Sequence, residues 1–280
     1  MDTKILDRTA VEAALAVRGM APIDRLVVVD RVGSTSSELR AHAAGPDAWP
    51  DGSVLVADHQ VGGRGRAGRT WTTPRGQALT FSVLLRPAVP AERLGWAPLI
   101  GGLAVVRALA GLGLEPVVKW PNDVLLPAAT SVAGWGAFRK VAGVLGDLVV
   151  EGGPAVVLGI GINVHQGPGD LAVPTATSMA LAGRPVPRAE VLAAVLEELG
   201  DLVAQWGEGG TTAGLVAACT AECVTIGRSV QVTRPGGDVI AGVATGLADD
   251  GALMIELGGR RVAVHAGDVT LRTGDGGPAD

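Results

Sequence analysis

The chain has 280 residues, of which 48% are hydrophobic and 18% are charged, and its formal net charge is -5. This length suits one large and one small domain, with ample apolar material for a core. The low charged fraction argues against intrinsic disorder. A net negative chain also lacks the broad basic face of a general nucleic-acid binder, so any anion site is expected to be local.

Membrane and metal-binding classes are disfavoured as well. The N-terminal residues carry scattered charges without the apolar core of a signal peptide. The longest apolar stretch, 94–112, is interrupted by Arg107 and is expected to fall short of the ~20 residues that cross a bilayer. Cys219 and Cys223 have no histidine nearby, so two buried thiols on one helix face are expected. These features predict a cytoplasmic protein with no membrane or nucleic-acid partner.

The first half of the chain predicts strands alternating with helices. Strands are expected at 26–30, 53–60 and 78–86, and another begins within 116–120. Thr35 followed by Glu38 fits a capping box, which predicts a helix that begins with Thr35 as its cap. The segment 97–113 reads as a buried helix.

The second half changes character near residue 223. Two strands are expected on either side of the Gly153-Pro154 turn, followed by a helix over 188–206 with an apolar stripe at the helical period. A second helix is predicted at about 211–223. Residues 228–272 are short strands separated by glycine turns, typical of a small barrel. The predicted domains are therefore 1–223 and 224–272, with a disordered tail at 273–280.

The stretch QVGGRGRAGRTW at 60–71 gathers three arginines and several glycines. Gly63, Gly65 and Gly68 spell the dinucleotide-binding pattern, but that motif opens a helix, and the residues that follow, through Pro74 and Gly76, disfavour one. The same stretch nearly spells a P-loop, with an arginine where lysine is required. Both interpretations fail by context. By itself the stretch is either an anion-binding loop or a solvated loop without a task.

Four further segments carry unusual polar residues at predicted strand ends or turns. They are GST at 33–35, KWPND at 119–123, KVAGVL at 140–145 and GIGIN at 159–163. Pro121 stops the preceding strand, which places Lys119, Asn122 and Asp123 at a sharp corner. The glycines of GIGIN indicate a close approach to the backbone.

In this order GRGRAGRTW, KWPNDV, KVAGVL, GIGIN and AGDVTLR resemble the biotin protein ligase family, over nearly the whole chain from Gly33 to Arg272. The resemblance implies an α/β fold, a mixed sheet flanked by helices of the class II synthetase type, with a C-terminal SH3-like β-barrel. It implies that biotin's carboxylate attacks the α-phosphate of ATP, which enters with Mg²⁺. A lysine of a biotin carboxyl carrier domain then takes the biotinyl group from biotinyl-5′-AMP.

The first step brings two anions together, so fixed cations are needed to offset their repulsion. Arg64, Arg66 and Lys119 are the candidates, because the arginine fork binds two phosphate oxygens at once. Asp123 is expected either to hold Mg²⁺ or to orient the acceptor amine. Arg69 and Arg75 are phosphate ligands or merely solvated.

The resemblance also implies two groups of binding residues. Those expected to bind biotin are Ser34, Thr35, Ser36, Gln60, Gly63, Arg64, Gly65, Arg66 and Lys140. Those expected to bind the nucleotide are Arg64, Arg66, Arg69, Trp71, Lys119, Asn122 and Asn163. The glycine-rich stretch is expected to order over the adenylate and exclude water, and 165–177 to form a second loop there. His165 is expected to be structural.

Several alternatives accompany this interpretation. The chain before Gly33 is too short for the winged-helix module of family members that also repress transcription, so a ligase without DNA binding is expected, as a monomer or weak homodimer. The stretch 124–139 is expected to be an exposed loop. The rival functions are a lipoate ligase or acyltransferase, and a non-catalytic biotinyl-adenylate sensor, which the cations Lys119, Arg64 and Arg66 disfavour.

Overall fold

The structure is a computed structural model that describes residues 6–45, 47–207 and 213–272. The predicted tail at 273–280, and the first two residues of the helix predicted at 211–223, lie outside the described residues. The described chain forms a large N-terminal sheet with helices on both faces and a smaller C-terminal sheet.

The large sheet has seven strands in the order β1-β2-β3-β7-β6-β5-β4. Their bounds are β1 Leu26–Val32, β2 Val54–Gln60, β3 Ala78–Leu85, β4 Val117–Lys119, β5 Asp123–Val132, β6 Gly136–Val149 and β7 Ala155–Asn163. β1 and β2 are parallel, whereas the other neighbours are antiparallel. The predicted mixed sheet is confirmed. Every residue of β3 is buried, because both faces of this central strand are covered.

Five α-helices surround this sheet: α1 Arg8–Val17, α2 Thr35–Ala41, α3 Ala97–Gly111, α4 Arg188–Gly207 and α5 Ala213–Ala221. α3, α4 and α1 pack together over one face and form the main core. α2 covers the other face, where Leu39 and Trp49 close a smaller core over Leu55 and Leu84. The apolar residues that recur at the helical period in α4 therefore lie on its buried side.

The small sheet contains β8 Ser229–Thr233, β9 Val239–Leu247, β10 Leu253–Leu257, β11 Arg260–Val264 and β12 Asp268–Leu271. Its order is β11-β10-β9-β8-β12, and all its pairs are antiparallel. The predicted unit of short strands and glycine turns is confirmed. Two tryptophans of the large domain donate to its β9–β10 turn, Trp96 to the carbonyl of Asp249 at 2.8 Å and Trp120 to that of Gly251 at 3.2 Å.

Three expectations from the sequence were wrong. The cap of α2 is Ser34, whose side chain accepts from the Ser37 amide, and Thr35 is the first helical residue. The stretch 124–139 is no loop, since β5 and β6 pair through it as a hairpin. In the described part of the chain, one helical segment, Ala91–Gly111, is long and apolar enough to cross a membrane, although 72% of its apolar 18-residue stretch is buried inside the protein. That burial makes the segment a core helix.

Candidate active site

A cavity of about 470 Å³ opens between the large sheet, the glycine-rich loop 62–71 and the edge of the small sheet. Of the site residues predicted from the sequence, all but Gly63 line it. They are Ser34, Thr35, Ser36, Gln60, Arg64, Gly65, Arg66, Arg69, Trp71, Lys119, Asn122, Asp123, Lys140 and Asn163. Arg75 does not reach the cavity, because it pairs with Asp30 and, at 3.3 Å, with Asp58. The structure thus brings together residues from all five sequence segments singled out above.

Glycines on two central strands make room for this cavity. A Cβ at Gly159 would collide with the Ser36 hydroxyl, and one at Gly161 would come within 2.7 Å of the Trp71 ring. A Cβ at Gly143, which pairs with Gly161, would lie 3.0 Å from the Lys140 ammonium. The close approach that the GIGIN pattern predicts is therefore an approach of side chains to bare backbone.

One end of the cavity is a network of hydroxyl groups. Gln60 Oε1 accepts from the Thr35 amide at 2.7 Å and from the Thr35 hydroxyl at 3.1 Å. The hydroxyl of Ser82 lies 2.8 Å from that of Thr35 and 3.0 Å from that of Ser36. All four residues belong to rigid elements, α2, β2 and β3. This end can therefore present neutral donors and acceptors at fixed positions.

The glycine-rich loop turns back on itself above the sheet. The Trp71 amide donates to the Gly63 carbonyl at 2.9 Å, and the Gly65 amide donates to the Arg69 carbonyl at 2.7 Å. A Cβ at Gly63 would collide with the Trp71 carbonyl, so the crossing needs glycine. No α-helix follows within these described residues, only a single 3₁₀ turn at Arg66–Gly68. The loop therefore lacks the following helix that both the dinucleotide-binding and the P-loop motif require.

The loop arginines are anchored at different depths. Arg66 donates to Asn122 Oδ1 at 3.2 Å and to the Gly267 carbonyl at 3.4 Å. Burial lowers the pKa of Arg66, although nearby carboxylates oppose that shift. Arg64 lies 3.4 Å from the Asp147 carboxylate, and Arg69 pairs with Asp268 at 2.7 Å on the exposed rim. Arg66 is therefore the arginine that the fold holds inside the cavity.

Two lysines share one carboxylate in the centre of the cavity. The ammonium of Lys140 lies 2.5 Å from Asp123 Oδ1, and that of Lys119 lies 3.7 Å from Asp123 Oδ2. Each ammonium also faces an aromatic ring, Lys119 at 4.7 Å from the Trp135 centroid and Lys140 at 5.5 Å from that of Trp71. Aromatic faces attract cations without neutralising them.

The pKa shifts of this group follow from burial and charge. Burial lowers the pKa of Lys119, while Asp123 opposes the shift. Burial alone would raise the pKa of Asp123, but the ammonium groups of Lys140 and Lys119 outweigh it and hold that pKa below its ordinary value. Asp123 is thus a carboxylate with two cationic partners.

Asp123 is poorly suited to hold a divalent cation. Both of its oxygens already face ammonium groups, which would repel a metal ion. Among the described residues no group of three histidine, cysteine or acidic side chains could hold a metal. Cys219 and Cys223 are buried and unpaired, and burial raises the pKa of the Cys219 thiol to about 12.

The far end of the cavity is built by the segment after β7. The Asn163 amide donates to the Thr177 carbonyl at 2.9 Å, and the Gln166 amide donates to Asn163 Oδ1 at 2.8 Å. The backbone of Lys140 pairs with residues 175–177 of the same segment. His165 does not line the cavity, and burial together with the charge of Arg188 lowers its pKa.

The sequence analysis assigned no role to three residues that line the cavity, Trp135, Gln166 and Asp268. It also assigned none to Ser82, which does not line the cavity but contacts Thr35 and Ser36 from beneath. Ser82 interrupts an otherwise apolar strand, which is a signal that a buried hydroxyl has a polar task. Trp135 lies in the hairpin that was expected to be a loop. Asp268 lies within AGDVTLR, where the motif was recognised but its carboxylate was not assigned.

The comparisons with known proteins identify the family of this chain. The model of the biotin/lipoate A/B protein ligase family matches residues 29–164, and that of the biotin protein ligase C-terminal domain matches residues 225–272. A curated relative from Mycobacterium tuberculosis is 39% identical over 88% of this chain and 88% of its own length. The chain therefore belongs to the biotin/lipoate A/B protein ligase family.

Two relatives and one solved structure are similar over most of this chain. The Mycobacterium tuberculosis relative is named biotin–[acetyl-CoA-carboxylase] ligase, and so is one from Paracoccus denitrificans, which is 31% identical over 85% of this chain and 97% of its own. A solved biotin protein ligase from Aquifex aeolicus, in complex with biotin and ATP, superposes with a TM-score of 0.72 and 29% identity. The superposition covers 90% of this chain and 100% of the Aquifex chain.

Proposed function

We propose that this protein is a biotin protein ligase. It activates biotin with ATP to biotinyl-5′-AMP and pyrophosphate, and then transfers the biotinyl group to a lysine of a biotin carboxyl carrier domain. The observation that carries the proposal is a single cavity in which Arg66, Lys119 and Lys140 lie between a hydroxyl end and an amide end. The polar ring of biotin fits the hydroxyl end, the carboxylate and phosphates fit the cations, and the base of the nucleotide fits the amide end.

The cations act on the first step. Biotin's carboxylate forms a bond to the α-phosphorus of ATP as the bond from that phosphorus to the α,β-bridging oxygen breaks, which releases pyrophosphate. Arg66 and Lys119, which the fold holds inside the cavity, stabilise the charge on the phosphoryl oxygens. Asn122 positions Arg66, because its own amide group donates to the Val144 carbonyl at 2.8 Å and leaves Oδ1 facing the guanidinium. Arg64 and Arg69 act from the rim.

Asp123 positions the two lysines and does not serve as a base. Its pKa is held below the ordinary value, so it is a weak acceptor for the proton of an incoming ammonium group. Mg²⁺ that accompanies ATP is not assigned to Asp123, since Lys140 and Lys119 already face both of its oxygens. When biotin and ATP bind, their anionic groups supply the lysines with further counter-charge.

The neutral end binds the biotin ring. Ser34, Thr35, Ser36 and Gln60 remain the proposed ligands, and Ser82 positions the hydroxyl groups of Thr35 and Ser36 from beneath. The backbone at Gly63 and Gly65 passes over this end and carries the arginines. Closure of this loop over the adenylate stays a prediction, with Trp71 on Gly161 as its apolar base.

The acceptor protein and the cellular location are also proposed. Relatives named as ligases of acetyl-CoA carboxylase support a carboxylase carrier domain as the acceptor. Two free cysteines among the described residues are in keeping with the cytoplasm. A monomer or weak homodimer remains the proposed oligomeric state.

Mass spectrometry of a carrier domain tests the proposed function. The carrier is incubated with the enzyme, MgATP and either biotin or lipoate. We expect the mass of one biotinyl group on one lysine and no lipoyl adduct. Lipoyl transfer in place of biotinyl transfer would support the lipoate ligase, whereas ligand binding without pyrophosphate release or carrier labelling would identify a non-catalytic sensor.

A further inference from the structure

Gln166 has a buried acceptor atom that the protein leaves without a partner. The residue is 1% exposed and lines the cavity at its amide end. Its Nε2 donates to Asn163 Oδ1 at 2.8 Å, but its Oε1 has no hydrogen-bond partner among the described residues. A buried acceptor without a donor is costly, which makes it a place where a ligand's donor binds favourably.

The orientation of the Gln166 amide is fixed by a chain of hydrogen bonds that ends on backbone. The Thr177 carbonyl only accepts, so it requires the NH₂ group of Asn163, which lies 2.9 Å away. Asn163 therefore turns its Oδ1 toward Gln166, and Gln166 in turn must present its own NH₂ group to Asn163. The atom left over is an oxygen, and it can only accept. Ser178 fixes the backbone here by donating to the Gln166 carbonyl at 2.7 Å.

The order of residues along β7 indicates which part of the proposed adenylate lies near this oxygen. Along β7, Gly159 lies against Ser36, Gly161 lies under Trp71, and Asn163 follows at the end of the strand. At ~3.3 Å per residue, Gly159 and Asn163 are about 13 Å apart. The cations lie between these ends. With the biotin ring at the hydroxyl end and the phosphates at the cations, the nucleoside base lies at the amide end.

We infer that Gln166 selects adenine, by accepting a hydrogen bond from the exocyclic amino group of the base. This inference rests on the proposed function, because it assigns a residue to the nucleotide of that reaction. A guanine or hypoxanthine base carries a carbonyl oxygen at the same ring position. Such an oxygen faces Gln166 Oε1 as a second acceptor, and no hydrogen bond forms.

The test compares ATP with purine riboside triphosphate, which differs from ATP only by lacking the exocyclic amino group. Pyrophosphate release in the presence of biotin gives kcat/KM for each nucleotide. For the wild-type protein we expect a preference for ATP of roughly tenfold, the usual worth of one such hydrogen bond. In Gln166→Met, which keeps the side-chain volume but removes the acceptor, the ratio is expected to fall to about one.

A matched control is available in the same region. Gln77 also has a buried Oε1 without a partner, but it does not line the cavity. Gln77→Met should therefore keep the wild-type preference for ATP. A purely structural role of Gln166 would lower kcat/KM for both nucleotides equally, so the ratio separates recognition from folding.

Two outcomes overturn the inference. One is a wild-type protein that uses both nucleotides equally well, a comparison that needs no variant to fold. The other is a Gln166→Met protein that retains the wild-type ratio. Failure of the proposed function looks different, because then no pyrophosphate is released with biotin and either nucleotide.

Discussion

The hydroxyl end and the charged centre of the cavity differ in how far their polar groups are paired before a ligand binds. At the hydroxyl end, Thr35, Ser36, Ser82 and Gln60 satisfy one another before any ligand arrives. In the charged centre, the single carboxylate of Asp123 pairs with two lysines, Lys119 and Lys140. A tryptophan ring also lies against each of the two ammonium groups. The polar groups of the neutral end thus already have hydrogen-bond partners within the protein, whereas the charged centre has two lysines and one carboxylate and so carries an excess of positive charge.

This difference indicates how each half contributes to binding. A ligand at the neutral end exchanges existing hydrogen bonds for new ones, so each group adds little net free energy but much specificity. A ligand in the centre brings anions to cations that the protein has only partly neutralised. Loss of a central charge should therefore cost far more than loss of a hydroxyl.

The largest effect is expected from Lys119→Met. Removal of a buried cation aimed at the reacting phosphate should slow pyrophosphate release about 10²- to 10³-fold, while Lys119→Arg restores part of the rate. Steady-state kinetics with biotin and MgATP measure this. Arg139→Met is the control, because Arg139 lies beside Lys140 on β6 and bonds to Thr130 outside the cavity. A loss of less than threefold in Lys119→Met would place the phosphates elsewhere.

An intermediate effect, on stability, is expected from Asp123→Asn. Two lysines then lack their counter-charge, which should lower the free energy of unfolding by about 3 kcal/mol. Biotin with ATP should return much of the loss, because their anions replace the carboxylate. Denaturant unfolding with and without ligands tests this. Asp147→Asn is the control, since Asp147 pairs with the half-exposed Arg64. An equal ligand-induced gain in wild type and Asp123→Asn would refute the shared-carboxylate picture.

The smallest effect is expected from Thr35→Val at the neutral end. Loss of one hydroxyl from the network should raise KM for biotin about tenfold and leave KM for ATP nearly unchanged. Thr80→Val provides the comparison, because Thr80 is equally buried on β3 but donates to the Ala57 carbonyl outside the cavity. If both variants shift KM for biotin alike, the hydroxyl end has no special part in binding.

Local patterns predicted most of this molecule. Alternation and β-branched runs predicted β2 and β3 to within one residue, since burial on both faces leaves a continuous apolar segment. The ordered motifs predicted the composition of the cavity, because each lies where a strand ends or bends. Their roles as ligands are still predictions.

The features that the sequence did not reveal depend on contacts between distant segments. The stretch 124–139 contains Pro127 and two glycines, which locally indicate a loop, yet pairing between β5 and β6 makes it sheet. Ser34 rather than Thr35 caps α2, because the first turn of the helix lies against Gln60, which holds the Thr35 amide. Gln166 carries no motif at all, and only three-dimensional packing shows its unpaired oxygen.

The tip of that hairpin ties the two sheets into one catalytic unit. Gly134 pairs with Leu271 of β12, and Trp135 beside it covers Lys119. Arg66 and Arg69 reach the same edge at Gly267 and Asp268. The C-terminal sheet thus forms part of the cavity wall. Replacing this sheet with that of a relative would therefore change contacts inside the cavity, so the two parts are expected to evolve in concert.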